Sequence, residues 1–224
     1  MQHLDRHEQL ELELLECLNS KRLLQNLIFC GGTMLRLCFG INRYSVDLDF
    51  WIIKENLDYD GLFSKISQTL AESYVVTDAA NKFHTLLFEI KADKYPRSLK
   101  IEIRKLPKKI KTERAIAYSK TSSIQVMLNV VSLPDMMTAK IAAFLDRREI
   151  RDAFDIEFLI KKGIALDASP GTAQDLLDRI NSLSKNDYRV ALGALLSPED
   201  RKYYASENFK ILKQSLREKL TTSR

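Results

Sequence analysis

Glycine and proline are scarce, seven and five in 224 residues. So few turn-forming residues exclude a collagen-like or low-complexity chain and argue against a turn-rich β-sandwich, which leaves a helix-rich protein as the starting expectation. No apolar run approaches the roughly 20 residues that a membrane-crossing helix needs. The first segment is acidic at Asp5, Glu8, Glu11, Glu13 and Glu16, where a secretory leader would be basic, so the chain is expected in the cytoplasm with no membrane partner. Cysteine is scarce too. Cys17, Cys30 and Cys38 are odd in number and lack metal-ligand spacing, which predicts buried free thiols rather than disulfides or a zinc site. What is abundant, 45% apolar and 29% charged residues, is the mixture of a folded protein with a sizeable core.

The formal charge is +5, but it is unevenly spread: residues 91–114 hold ten Lys/Arg against three Asp/Glu. A basic cluster of this kind suits a surface that meets phosphates, and it equally suits a solvated, lysine-rich strand edge that resists aggregation. Charge alone does not separate the two.

Hydrophobic spacing predicts an amphipathic helix with one wet face over residues 3–18, then a short buried strand over 27–30 that ends in a Gly31-Gly32 turn. Thr33 is placed to cap a short helix running to Phe39, which Gly40 stops. A second strand spans 46–53 and a helix 59–73. Strand-like runs follow near 74–77, 83–90, 99–104 and 123–131. Pro134 opens a helix to about Arg147 and another covers 150–162, while 173–183, 187–196 and 199–220 all read as helices. The expected fold is therefore α+β: an α/β front half built on one mixed sheet flanked by helices (1–132), followed by an all-α C-terminal bundle (133–224).

Chemistry concentrates where the glycine turn meets the second strand. Asp47 and Asp49 stand two residues apart on a strand, so both carboxylates point to one side, and two like charges on a short β-run repel unless a cation neutralises them. The Gly31-Gly32-Thr33 turn at a helix start offers N–H groups and a hydroxyl to a polyphosphate. A glycine pair alone is more often an ordinary turn; the acidic pair downstream gives it meaning. His84, read as part of an alternating strand, is expected to be a structural histidine.

These residues resemble the nucleotidyltransferase superfamily that includes DNA polymerase β, and more closely the AbiEii/AbiGii-type abortive-infection toxins. The resemblance lies in Gly31-Gly32-Thr33, Leu35-Arg36 and Arg43-Tyr44-Ser45-Val46-Asp47-Leu48-Asp49-Phe50, and in a second block, Ala139-Lys140-Ile141-Ala142-Ala143 with Arg147 and Arg151-Asp152-Ala153-Phe154-Asp155-Ile156. It implies Mg²⁺ or Mn²⁺ on Asp47 and Asp49, with Glu102 as a third carboxylate that serves as ligand or base at a step where the family often has aspartate. Lys140 is implied to bind the triphosphate, against a plain snorkelling lysine. Asp152 and Asp155 are implied site residues, Asp155 slightly preferred, against a surface ion-pair network with Arg148 and Arg151. Arg43 is placed to contact phosphate and Ser45 to support the turn.

The activity implied is transfer of NMP from an NTP to RNA, with tRNA acceptor ends as the leading substrate, and a cognate antitoxin as partner. Lys105, Lys108 and Lys109 are the expected RNA contacts. Two other readings stand beside it: a small-molecule nucleotidyltransferase of the aminoglycoside-modifying kind, and a non-catalytic nucleotide- or RNA-binding module.

Overall fold

The computed structural model describes residues 2–105 and 109–222, and the chain divides into two compact units, Met1–Gly40 with Tyr44–Ser132 and Ile41–Arg43 with Leu133–Arg224. Among the described residues no helix is long and apolar enough to cross a membrane. The fold is α+β.

The first unit is one mixed seven-stranded sheet with three helices. In chain order its elements are α1 (Gln2–Ser20), β1 (Leu27–Cys30), α2 (Gly31–Phe39), β2 (Asp47–Ile52), α3 (Tyr59–Ala71), β3 (Val75–Asn81), β4 (Thr85–Lys91), β5 (Leu99–Arg104), β6 (Thr112–Tyr118) and β7 (Gln125–Val131). Across the sheet the order is β3-β4-β5-β2-β1-β7-β6. Strands β1 and β2 run antiparallel, whereas β2–β5 and β1–β7 are parallel. Central β1 is buried along its whole length, and β5 alternates, with Leu99, Ile101 and Ile103 in the core. That alternation leaves Lys100 and Glu102 on the other face.

Several local expectations change. The glycine turn runs straight into the helix: Gly31, at φ +79°, already counts as the first residue of α2, and the Thr33 hydroxyl does not cap it but donates to Asp47 O (2.6 Å). The α1 helix is not simply wet on its polar side, because His7, Glu8 and Glu11 are buried. Of the three free thiols only Cys30 is buried, and Cys17 and Cys38 are half-buried. His84 lies outside β4, in the exposed β3–β4 turn, its ring edge-on to Phe83. Strand β6, unforeseen, is an edge strand whose outward residues are polar or exposed, so it lacks the apolar alternation that reveals a strand. The basic stretch is consequently dispersed: Lys91 ends β4, Arg104 ends β5 at the opposite end of their shared ladder, and Lys111 and Arg114 sit at β6 on the far edge. Lys94 and Lys100 pair with Glu13 and Glu102, and Lys108 lies outside the described residues.

The second unit is helical: α4 (Leu133–Arg147), α5 (Ile150–Lys161), α6 (Pro170–Asn181), a π-helical turn over Asp187–Leu192, a 3₁₀ turn over Gly193–Leu195, α7 (Pro198–Glu207) and α8 (Lys210–Thr222). The single helix expected over 199–220 is broken at Asn208 and Phe209, both at positive φ (49° and 57°). A left-handed phenylalanine costs about 1–2 kcal/mol. Complete burial of its ring against Tyr188 and Tyr204 offsets that cost. Glu157, also buried, accepts a hydrogen bond from Leu212 N at the start of α8 (3.1 Å) and pairs with Lys161.

Candidate active site

On β2 the burial alternates as the period of a strand requires: Leu48 and Phe50 enter the core while Asp47 and Asp49 stand half-buried on the opposite face. The parallel ladder with β5 sets Asp47 beside Lys100 and Asp49 beside Glu102. Three carboxylates and one ammonium therefore share one sheet face. Lys100 Nζ bonds Glu102 Oε1, and that hydrogen bond, with lesser attraction from Asp47 and Asp49, holds the lysine's pKa above its ordinary value.

Helix α2 abuts this face. Gly31 has φ +79°, a conformation that favours glycine, and a Cβ built on it would collide with Asp49 Oδ2. A side chain at position 31 would occupy the space the Asp49 carboxylate uses. Cys30 supplies no side-chain cap, and the first N–H groups of α2 lie beside Asp49.

Three fastenings fix the entry to β2, and sequence reading missed all of them. Tyr44 donates to Asp5 (2.6 Å), His7 Nε2 meets Val46 O (2.9 Å), and Thr33 donates to Asp47 O. Arg36 packs over the Tyr44 ring and bonds Glu8 (2.5 Å), which also accepts from Ser119. Glu11 lies beneath, fully buried; burial, reinforced by Glu8 and Asp47, lifts its pKa well above the carboxylate range, while burial lowers that of His7. Their spacing of four on an acidic helix was the available signal. Ser45 is half-buried in the same lead-in segment.

The second block of singled-out residues forms a site of its own within the helical unit. Arg43 is 2% exposed and grips Asp155 with two hydrogen bonds (2.5 and 2.7 Å). Lys140, also buried, bonds both Asp152 (3.1 Å) and Asp155 (2.6 Å), and Arg147 closes the network on Asp152 (2.8 and 2.9 Å). Asp155 has its pKa lowered: burial opposes ionisation, but attraction to Arg43 and Lys140 outweighs it. Asp152 and Asp155 are thus neither on a helix surface nor paired with Arg148 or Arg151, and Lys140 is no snorkelling lysine. Its ammonium is engaged by two carboxylates, which take two of its three N–H donors.

The profile of the nucleotidyl transferase AbiEii toxins of type IV toxin–antitoxin systems matches residues 13–220. The chain belongs to the AbiEii toxin family. The AbiEii fold is shared with solved structures. A proposed nucleotidyltransferase from H. pylori superposes with a TM-score of 0.60 at 19% identity, covering 100% of this chain and 98% of that one. JHP933 from Helicobacter pylori gives 0.52 at 18% identity, covering 93% and 96%. No curated protein matches.

For a divalent cation, the donors on the β2–β5 face are hard oxygens, the kind Mg²⁺ and Mn²⁺ prefer. The face already attracts a positive group, the Lys100 ammonium, and in that respect it fits a cation. Among the described residues no three His, Cys, Asp or Glu side chains are gathered into a preformed metal cage.

Proposed function

We propose that this AbiEii-family chain transfers NMP from an NTP to RNA, with a tRNA acceptor end as the leading substrate, and does so with a divalent metal. The observation that carries the reading is the contact of the Asp49 carboxylate with Gly31 at the start of α2, which brings anionic ligands and phosphate-attracting N–H groups to one place. Asp47, Asp49 and Glu102 would hold the cation, which when bound supplies positive charge to the phosphate oxygens.

The chain's own residues do the rest. Gly31 and Gly32 let the triphosphate approach the backbone, and the α2 N–H groups orient it. Thr33 holds Asp47 from behind by its hydrogen bond to the carbonyl. The acceptor hydroxyl forms a bond to the α-phosphorus as the bond to the bridging oxygen breaks, and pyrophosphate leaves with that electron pair. Glu102, in register with Asp49, takes the acceptor's proton or joins the cation's ligands. Lys140, Asp152, Asp155 and Arg43 enter as one coupled network of the helical unit, in which Lys140 keeps a third N–H donor for a phosphate oxygen. An antitoxin made alongside is the partner the family points to, and Lys105 and the exposed Lys109 supply charge for an RNA backbone.

The test is incubation with each labelled NTP, Mg²⁺ or Mn²⁺ and total RNA. Label in an RNA band that disappears with Asp49→Asn is the expected result. Label in a small-molecule acceptor alone, or label that survives the substitution, would sink the reading.

A further inference from the structure

A cleft within the helical unit, enclosing about 210 Å³, is lined by Lys185, Arg189 and Lys213 together with Asn181, Tyr188 and Asn208. That is the liquid volume of about seven waters, room for a phosphate group with part of its hydration shell. Among the described residues no carboxylate lines it. The neighbouring acid, Asp187, accepts from both the backbone N–H and the hydroxyl of Ser184 (2.7 and 2.8 Å). Three like charges facing one cavity repel one another and favour an occupant of opposite sign.

The walls have unusual backbone. Tyr188 and Arg189 belong to the π-helical turn, and Asn208 is the first residue of the left-handed break between α7 and α8. Such geometry is uncommon and costs energy, and here it delivers an arginine fork and an amide to the same volume. Burial, with the nearby Arg217 charge, depresses the Lys213 pKa, and an anion in the cleft would relieve that penalty.

We infer that this cleft is an anion site for a phosphate group, with Arg189 as a bidentate donor, Lys185 and Lys213 as charge partners, and Asn181 and Asn208 as amide donors. Three cations and a planar fork suit a dianionic, many-oxygened phosphate better than a single carboxylate. The phosphate belongs either to a free nucleotide or to an RNA backbone. The site stands independently of the transfer reading, because none of its residues lies in the machinery assigned above.

The experiment is a calorimetric titration of the full chain with inorganic phosphate at fixed ionic strength, repeated for Arg189→Gln with Lys213→Met. One saturable site is expected, weakened at least tenfold in the double variant, with the circular dichroism spectrum and unfolding midpoint confirming a folded protein. If the double variant fails to fold, Lys185→Gln, on an exposed side chain, carries the test and should weaken binding severalfold. Competition by AMP assigns the site to free nucleotides; competition by a short oligouridylate where AMP has no effect assigns it to RNA backbone. No saturable phosphate binding, or equal affinity in wild type and variants, overturns the inference.

Discussion

The chain carries two groups of acidic residues of opposite character. On the β2–β5 face Asp47, Asp49 and Glu102 are half-buried, share one side of the sheet and attract Lys100. In the helical unit Asp152 and Asp155 are wholly buried, and every charge has a partner of opposite sign: Arg43, Lys140 and Arg147. Like charges left in partial contact with water store a preference for a cation. Opposite charges gathered on two buried aspartates store rigidity, because removing Asp155 strands Arg43 and Lys140 in a low-dielectric interior. The first arrangement is poised for ligand chemistry and the second for holding shape.

Breaking the sealed network should produce the largest change. Asp155→Ala leaves Arg43 and Lys140 facing each other without their shared carboxylate, and a loss of about 3–5 kcal/mol in unfolding free energy is expected by urea denaturation. A loss below about 1 kcal/mol would show that water compensates the buried cations.

Next in size is the catalytic arm of the comparison. Asp49→Asn keeps the shape of the side chain but removes its charge, so NMP transfer should fall at least about 100-fold, close to 3 kcal/mol of barrier. Stability should stay within about 0.5 kcal/mol, since one crowded negative charge is gone. Single-turnover transfer at saturating NTP, beside a denaturation curve, reads both.

Lys140→Met sharpens the contrast further. Each aspartate it touches retains an arginine, so the stability loss should be smaller than for Asp155→Ala, about 1–2 kcal/mol. Assayed well below its unfolding midpoint, the variant should show a severalfold higher KM for NTP. An unchanged KM would confine the lysine to the scaffold.

The smallest effect concerns Glu11. Its folded-state pKa is raised, so the folded chain keeps a proton that the unfolded chain releases above the ordinary value of 4.5, and stability falls as pH rises beyond that value. His7 works in the opposite sense: its lowered pKa costs stability as pH drops below 6.5. Glu11→Gln should therefore gain on the order of 1 kcal/mol at pH 8–9 and little at pH 4, read from unfolding midpoints across pH. A pH profile parallel to wild type would mean that the carboxyl ionises freely in the fold.

Local signals made much of the fold legible. The run from Leu27 to Cys30 announced a buried strand, and Asp47 and Asp49 with Gly31 announced one crowded face, because period-two geometry needs no knowledge of partners. What stayed hidden depends on distant residues. The ion pair of Arg43 was not legible because its mate, Asp155, lies 112 residues further on. Thr33 looked like a cap because the carbonyl of Asp47, not its own helix, takes the hydroxyl. The break at Asn208 and Phe209 is set by an aromatic pocket and not by glycine or proline, so no turn residue marked it. The basic stretch read as one patch because sequence order is not sheet order.

The grip of Glu157 on Leu212 has a consequence in time. The acceptor sits on α5 and its donor is 55 residues later, so a chain emerging from the ribosome at about 5–20 residues per second carries Glu157 for roughly 3–11 seconds before Leu212 is made. Until then the carboxylate has Lys161 but not the α8 N–H, and Phe209, which closes the aromatic cluster, is also absent. The helical unit therefore completes its interior late in synthesis, and a stall between residues 157 and 209 would display an open apolar face to chaperones.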